Sequence, residues 1–432
     1  MAQDSALMAL KSQLGLDSTY MPQPIPSYPY SPERKVYVKE ITFDGLDEKD
    51  KKWLLKRCDL KEDSEISIRR IEEATAILSA NLGYSGATYN LPETPGGGYN
   101  LNYTLSKKYE NKLNVGIRFD SEEIASLLIN VTSNFKGKLP STLSLTGRLG
   151  KRYAAGINYA WEPAPLKRVG LSYLFVNFYH YGDRTHNSTF RYHQAEFAFS
   201  DVWYKNVRFG IGLRYEYYDY DKFLYQEGST TQQYSTDNEH FFGYFAQMEY
   251  ETFDKAYFPS RGISARASYS LYTDNFTQYN DHAPFSAIKG YCEGVMRLTN
   301  RFSILPSVYG RFLIGREIPY SKLNAMGGDV PSRFLQQQLP FVGINNVELM
   351  DNALLIGMMK FRQRMGSVHY VTLTANYALS SHKVSGLLKE KTMFGCGIGY
   401  GLDSMFGPLE ASINYANHAD KVSMYVNLGF KF

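Results

Sequence analysis

The stretch "MFGCGIGYGL", Met393–Leu402, decides the fold class because it alternates strictly between two kinds of residue. One face consists of Phe394, Cys396, Ile398, Tyr400 and Leu402, and the other consists of Gly395, Gly397, Gly399 and Gly401. Successive side chains of a β-strand point to opposite faces of the sheet. This period of two therefore predicts a strand with one apolar face and one face of glycines.

The same alternation recurs from Lys112 to Phe432. Clear examples are "VTLTANYAL" (371–379), "PLEASINY" (408–415) and "SMYVNLGFKF" (423–432), in which small polar residues oppose the apolar face. Segments of about ten residues exceed the usual five or six of soluble sheets and match the length of a tilted transmembrane strand. We count about sixteen segments, an even number, as single-chain outer-membrane barrels require. We predict a sixteen-stranded antiparallel transmembrane β-barrel over residues 111–432, with a soluble β-protein as the alternative.

The composition narrows the function class without deciding it. The 432 residues carry a net charge of only +4, which gives no argument for nucleic-acid binding. The 36 tyrosines against 3 tryptophans favour many strands or membrane interfaces. No run of about eighteen apolar residues occurs, so no transmembrane helix is predicted. The mean hydropathy of −0.36 remains compatible with a barrel, which needs apolar residues only at every second position.

The cysteines and histidines give no sign of a metal centre. The three cysteines are Cys58, Cys292 and Cys396. They are far apart and lack metal-ligand spacing, so we interpret them as small apolar residues. His180, His186 and His193 flank one predicted loop, but nothing else in that stretch supplies matched ligands. No metal site and no cofactor are predicted.

The residues before the barrel divide into two parts. Residues 1–35 are predicted to be an N-terminal segment with a proline-rich linker, and residues 36–110 a small α+β domain of order β-α-α-β-β. Within that domain, Ser67 is the predicted N-cap of the second helix. No signal peptide is visible, so we expect either a mature form or a piece of a longer protein.

Three stretches resemble the BamA/TamA-type outer-membrane assembly and translocation superfamily. "ETFDKAYFPSRGISARASY" (Glu251–Tyr269) resembles its strand–turn–strand signature, an acidic strand end followed by Phe-Pro-x-Arg-Gly. "VYVKEITFDG" (Val36–Gly45) resembles the first strand of a POTRA domain, and the end at Phe432 resembles the C-terminal signal of outer-membrane barrels. The whole arrangement is also similar to the POTRA and barrel half of Bacteroidetes patatin-like proteins.

The resemblance implies a bacterial surface antigen barrel in the outer membrane of a Gram-negative bacterium, with one POTRA domain in the periplasm. It implies insertion or translocation of polypeptides, with client polypeptides, outer-membrane lipids and accessory outer-membrane lipoproteins as partners. It also implies a lateral seam between the first and last strands, Lys112–Glu122 and Ser423–Phe432. Unpaired backbone groups there would bind a client strand. A POTRA strand edge could bind a client in the same way, or the domain could act only as a spacer.

"GGDVPSRFLQQQLPFVG" (Gly327–Gly343) falls between the predicted eleventh and twelfth strands. The family has a long extracellular loop there, which carries an Arg-Gly-Phe/Tyr core and folds back into the barrel. The resemblance therefore implies a loop in the lumen that is anchored by Arg333, and the alternative is a solvated arginine. The predicted residues of this lumen loop are Gly327, Gly328, Arg333, Phe334 and Gln338.

The predicted wall for this loop is the glycine face of Met393–Leu402, because missing side chains let a loop approach closely. Barrel curvature is the alternative explanation of these glycines. The family's arginine pairs with acids on the twelfth and thirteenth strands, but Lys360 and Asn376 occupy those positions here. An unpaired buried arginine is costly, so another acceptor is required, and backbone carbonyls are among the candidates. The predicted wall and acceptor residues are Asn376, Gly395, Gly397, Gly399, Gly401 and Glu410.

The last strand carries the predicted C-terminal barrel signal, which consists of Tyr425, Phe430 and Phe432. A membrane-interface role is compatible with Phe432 as well.

Two other functions stay open. The chain could be the export and anchoring module of a patatin-like phospholipase whose catalytic domain is absent from it, or a passive pore. "GYSGA" (Gly83–Ala87) lacks the Gly-x-Ser-x-Gly spacing of a patatin nucleophile. No catalytic motif is found, so no enzyme activity is predicted for this chain.

Overall fold

The computed structural model describes residues 34–429 with short gaps. The gaps are residues 45–47, 82–83, 108–110, 122–123, 136–140, 165–166, 183–185, 205, 228–229, 235–236, 256, 333–334, 345–346, 390, 405–406 and 419–420. The predicted N-terminal segment and linker lie almost wholly outside the described residues and stay a prediction. No helix in the described part is long and apolar enough to cross a membrane.

A small α+β region comes first. Its elements are β1 (Lys35–Phe43), α1 (Glu48–Cys58), β2 (Ser64–Ser67), α2 (Ile68–Asn81), β3 (Tyr84–Asn90) and β4 (Tyr99–Lys107). The four strands form one sheet of order β2-β1-β4-β3. The sequence predicted β-α-α-β-β, and the structure adds β2, which pairs antiparallel with β1. Four residues are too few to show a period of two, so β2 could not be predicted.

The helices of this region cover one face of its sheet. Ile71 and Leu78 of α2 are fully buried with Val38 and Leu101 of the sheet in a single apolar cluster. The hydroxyl oxygen of Ser67 accepts a hydrogen bond from the backbone N–H of Arg70 at 3.3 Å, as an N-cap does. The region is consistent with a POTRA-like domain.

The rest of the described chain is a closed barrel. Its sixteen main strands are β5 (Lys112–Asp120), β6 (Ile124–Phe135), β7 (Ser141–Leu149), β8 (Ala154–Ala164), β9 (Lys167–Gly182), β10 (His186–Tyr204), β11 (Val207–Glu227), β13 (Glu239–Glu251), β14 (Gly262–Thr273), β15 (Phe285–Arg297), β16 (Phe302–Ile314), β20 (Ala353–Met365), β21 (His369–Ser381), β22 (Lys391–Ser404), β23 (Gly407–Ala416) and β24 (Lys421–Gly429). A short strand, β12 (Thr230–Tyr234), extends β11. The predicted fold class is confirmed.

The barrel turns its apolar side chains outward. On β24, Met424, Val426 and Leu428 are exposed, whereas Tyr425 and Asn427 between them are buried. On β22, Phe394, Ile398 and Tyr400 are likewise exposed. An apolar outer band and a polar interior are what a bilayer requires of a barrel. The glycines of β22 therefore face the lumen.

Candidate functional site: a loop inside the barrel

The long connection between β16 and β20 folds into a compact loop. It contains a 3₁₀ turn (Tyr320–Lys322) and three two-residue strands, β17 (Ala325–Met326), β18 (Gln338–Leu339) and β19 (Glu348–Leu349). β17 pairs with both of the others. The segment Gly327–Gly343, which we call the lumen loop, is closed at its base by backbone hydrogen bonds from Gly327 N–H to Leu339 O at 2.9 Å and from Phe341 N–H to Gly328 O at 3.0 Å.

Glycine is required at the start of this loop. Gly327 and Gly328 have φ values of 140° and 74°, which side chains rarely tolerate. The side-chain amide of Gln338 donates to the carbonyl of Gly327 at 2.7 Å and fixes the opposite side of the base. These three predicted residues thus shape the loop from within. Arg333 and Phe334 lie outside the described residues, and the anchoring role of Arg333 stays a prediction.

One side of the lumen loop lies against β22. A side chain at Gly395 would collide with the carbonyl oxygen of Val342, and one at Gly397 would lie 3.0 Å from its Cγ1. Asn376 on β21 is buried and donates its side-chain N–H to the same carbonyl at 3.5 Å. The loop therefore lies against this wall where Gly395 and Gly397 leave space for it and Asn376 donates a hydrogen bond to it.

The next residue of the loop makes a similar approach to β23. Gly343 has φ 102°, and a side chain there would lie 2.7 Å from the Cβ of Ala416. The lumen loop therefore packs closely against β23 as well as against β22.

The opposite side of the lumen loop is held by β10, β11 and β15. Arg214 donates to the side-chain carbonyl of Gln336 at 2.7 Å, and the amide nitrogen of Gln336 donates to Gln194 at 2.9 Å. The Lys289 ammonium donates to the Ser332 hydroxyl and the Gln336 carbonyl. The loop thus crosses the lumen from β11 to β22, which are the seventh and fourteenth strands of the barrel.

A buried ion pair holds the segment that leads into the loop. The Lys322 ammonium pairs with the carboxylate of Glu216, and their side chains are 3% and 1% exposed. Three aromatic rings surround the ammonium; those of Tyr218, Phe241 and Tyr272 have centroids 5.1, 4.7 and 4.3 Å away. Glu216 also lies 3.7 Å from Arg214, which pairs with Glu196 at 2.7 Å.

Comparison with known proteins assigns the family. Residues 99–432 match the sequence model of the OMP85 superfamily. The chain belongs to the OMP85 superfamily. No curated protein matches it.

Solved structures share the fold of this OMP85 chain at low identity. BamA from Haemophilus ducreyi lacking POTRA domains 1–3 is 14% identical, with a TM-score of 0.58 over 92% of this chain and 85% of that one. CdiB from Escherichia coli is 13% identical, with a TM-score of 0.52 over 91% and 76%. CdiB from Acinetobacter baumannii is 11% identical, with a TM-score of 0.50 over 99% and 98%. As an OMP85 barrel, the chain is an outer-membrane protein of a Gram-negative bacterium.

The seam of the OMP85 barrel joins β5 to β24. Their ladder has three described residue pairs, Arg118 with Gly429, Phe119 with Leu428 and Asp120 with Asn427. The neighbouring ladder between β23 and β24 has eight pairs, and that between β10 and β11 has seventeen. The described part of the seam ladder ends at Gly429, the last described residue of β24.

The lumen of this OMP85 barrel keeps a cavity of about 420 Å³ beside the loop. Its charged lining residues are Arg148, Arg214, Glu216, Arg266, Lys289, Arg311 and Lys322. The loop therefore leaves space along the β6–β16 side of the lumen and none next to the glycines of β22 that it contacts.

The remaining predicted site residues lie elsewhere in the barrel. Gly399 is in contact with β23, since a side chain there would lie 3.3 Å from the Cβ of Ser412. Gly401 faces the ring of Phe258 instead of the lumen loop. Glu410 interacts electrostatically with Arg362. Tyr425 is buried on β24, and Phe430 and Phe432 lie outside the described residues.

Sequence reasoning did not find the Lys322–Glu216 pair or the Arg214 contacts. The available signal was the stretch "LRYEYYDY" (213–220), where Arg214 and Glu216 alternate onto the lumen face of β11. Two charges on the inner face of a strand call for partners in the lumen. The partner on the loop cannot be read from the sequence, because Gln336 is 122 residues away from Arg214.

Proposed function

We propose that this OMP85 barrel inserts or translocates polypeptides at the outer membrane, and that a client strand is bound at the seam between β5 and β24. The observation that carries the proposal is the ladder of three described residue pairs at that seam. Strand edges with few partners bind an added strand through main-chain hydrogen bonds. The seam is the place in the wall where such an edge is easiest to open.

The small α+β region is the proposed first contact of the client, on the periplasmic side. The sheet order β2-β1-β4-β3 leaves β3 at one edge and the shorter β2 at the other. β3 has seven residues, so it offers the longer edge for strand addition. In this proposal the client passes from that edge to the seam.

The decisive experiment is a disulfide lock across the seam. Phe119 and Leu428 are paired and exposed on the outer face, so both are changed to cysteine. The matched control is Ile413→Cys with Met424→Cys, an outward pair in the eight-pair ladder next to the seam. Cys292 and Cys396 are replaced by alanine beforehand, and Cys58 is fully buried and is left unchanged.

The locked proteins replace the native protein in cells, and the outer-membrane proteome is measured with and without reductant. The proposal expects the seam lock to deplete client proteins, reductant to restore them, and the control lock to have no effect. Broad loss of barrels would identify an assembly factor, and loss of one product a dedicated secretion pathway. A seam lock that leaves the proteome unchanged contradicts the proposal.

Conductance measurements distinguish the proposed translocator from a passive pore. The lumen loop occupies the interior, so the intact protein is expected to conduct poorly in planar bilayers. A large steady conductance that deletion of Gly327–Gly343 does not change would favour a pore.

A further inference from the structure

The turn between β13 and β14 has no part in the proposed function. It comprises residues 252–261, and its last four residues together with Gly262 of β14 form the stretch "FPSRG" (Phe258–Gly262). The structure describes all of it except residue 256. It lies at the barrel end where β5 begins, since β13 is the eighth strand and the strands alternate in direction. We call this end the proximal mouth.

The turn is internally braced. The Asp254 carboxylate accepts hydrogen bonds from Ser260 N–H at 2.8 Å, from the Ser260 hydroxyl at 2.6 Å and from Arg261 N–H at 3.3 Å. Burial of the carboxyl raises its pKa, but these hydrogen bonds outweigh burial and leave the pKa of Asp254 below its ordinary value. The turn therefore holds one shape and presents its tip, Phe258, in a fixed direction.

Phe258 fits a slot on the far side of the proximal mouth. Its ring stacks on that of Tyr370 of β21, with centroids 4.5 Å apart and planes 3° apart. The slot also needs Gly401 of β22, where a side chain would lie 2.7 Å from the Phe258 ring. Phe258 is 9% exposed as a result.

Arg362 of β20 closes the slot from the third side. It donates to the carbonyl of Pro259 at 3.1 Å, and its guanidinium carbon lies 5.5 Å from the centroid of the Phe258 ring. Lys255 at the start of the turn lies 3.9 Å from Asp403 of β22. The turn is thus attached to β20, β21 and β22 by stacking, a hydrogen bond and charge.

The seated tip is held in an unfavourable backbone conformation. Phe258 has φ 48°, in the left-handed region that a bulky residue rarely adopts. Such a conformation persists only where surrounding contacts over-determine it, and it is common in segments that switch position. The slot supplies those contacts, so leaving the slot would release the strain.

These contacts cross the mouth, because β15 and β16 lie between β14 and β20 in the wall. We propose that the turn is a removable closure of the proximal mouth, seated by Phe258 in the slot formed by Tyr370, Gly401 and Arg362. The lumen is then closed twice in series, by the turn at this mouth and by the lumen loop above it. The closure is independent of the proposed transport activity and is tested without a client.

The test is planar-bilayer conductance of four proteins. They are the wild type, the deletion of Gly327–Gly343, Phe258→Ala, and the two changes combined. With two constrictions in series, removing either one leaves the other to limit the current. The combined variant is therefore expected to conduct more than the sum of the two single variants.

Gly401→Val is a second way to empty the slot, because the added side chain occupies the place of the Phe258 ring, and it should act like Phe258→Ala. Two matched controls separate loss of the slot from general loosening of the barrel. Gly357→Val adds the same side chain to β20, at a position with open space around it. Phe276→Ala removes the side chain of another phenylalanine whose backbone φ is positive, from the turn that joins β14 to β15. Each of these two controls, added to the loop deletion, should leave its conductance unchanged.

Folding of each variant is checked by the heat-dependent gel mobility of the barrel, and Tyr370→Ala replaces Phe258→Ala if the latter does not fold. If the loop deletion alone conducts as much as the combined variant, the turn is not a closure. The same conclusion holds if Gly401→Val and Gly357→Val raise the conductance of the loop deletion equally.

Discussion

Lys322 and Glu216 form an ion pair in which both side chains are almost fully buried. Removing one member of a buried pair leaves the other charge without compensation, which costs far more than breaking a surface pair. The pair also links the loop segment to β11, so its loss acts on stability and on loop position together.

Glu216→Ala is expected to lower the free energy of unfolding by about 3–5 kcal/mol, because the Lys322 ammonium stays buried and loses its carboxylate partner. The measurement is urea unfolding of the protein in lipid bilayers. The control is Asp219→Asn, which breaks the more exposed pair of Asp219 with Arg191 on β10 and β11 at 3.1 Å. That change should cost about 1 kcal/mol or less. Equal losses in the two variants would contradict a buried, coupled pair.

A second residue-scale prediction concerns acid sensitivity of the small α+β region. The Glu62 carboxylate accepts a hydrogen bond from Ile41 N–H at 3.0 Å and pairs with Lys51 at 3.0 Å. Burial raises its pKa, but these two partners outweigh burial, so the pKa of Glu62 lies below its ordinary value.

The sign of the pH effect follows from this depressed pKa. The stabilisation is present above the unfolded-state pKa of a glutamate, about 4.3, and is lost as the pH falls through the lower folded-state value. Hydrogen exchange at Ile41 in the intact protein, corrected for intrinsic rates, should therefore accelerate on acidification below about pH 4. Glu62→Gln should remove most of this dependence, whereas Glu65→Gln, at an exposed position of β2, should keep it. An unchanged pH dependence in Glu62→Gln would refute the assignment.

At the scale of elements, β22 and the lumen loop depend on each other. The glycine face of β22 serves three neighbours: Gly395 and Gly397 face the loop, Gly399 faces β23, and Gly401 faces the turn at the proximal mouth. One run of glycines therefore makes room for two separate inward segments.

Gly395→Ala is expected to displace the lumen loop, since the added methyl group collides with the Val342 carbonyl. Gly399→Ala is the matched control on the same strand and face, with contacts to the wall only. Arg333 is the single trypsin site within Gly327–Gly343, so the rate of cleavage there reports release of the loop. Cleavage should be faster in Gly395→Ala than in Gly399→Ala, and equal rates would argue against a docked loop.

The sequence predicted the strands and their faces because a period of two is a local signal. The same alternation placed the glycines of Met393–Leu402 on one face, but it left barrel curvature as an alternative explanation and did not show which glycine contacts which neighbour. The Gln336 contacts with Arg214 and Gln194 join residues 122 and 142 apart. The slot for Phe258 likewise joins separate strands through a stacked ring. Such contacts depend on which strands face each other across the closed barrel, which no single segment encodes.

At the scale of the whole molecule, the seam joins the first and last strands of the wall, which no turn connects. The ladder at the seam has three described pairs, against seventeen between β10 and β11. Local opening in proteins starts where the fewest hydrogen bonds must break.

Backbone amides that point across the seam, within Arg118–Asp120 and Asn427–Gly429, should exchange faster than those of the β10–β11 ladder. Hydrogen–deuterium exchange by mass spectrometry of the protein in bilayers measures this. Peptides from β23 are the internal reference, because β23 has ladders of ten described pairs with β22 and eight with β24. Seam protection equal to that of β10 and β11 would show a uniformly closed wall.

The crossing of the lumen by the loop also constrains how the barrel is assembled. The loop touches the seventh strand through Arg214 and the fourteenth through Gly395, so both strands must be in place before it can settle. Contacts between residues far apart in sequence form late in folding, because the chain entropy lost in closing them is large. We therefore expect the loop to dock only after the part of the wall from β11 to β22 has formed.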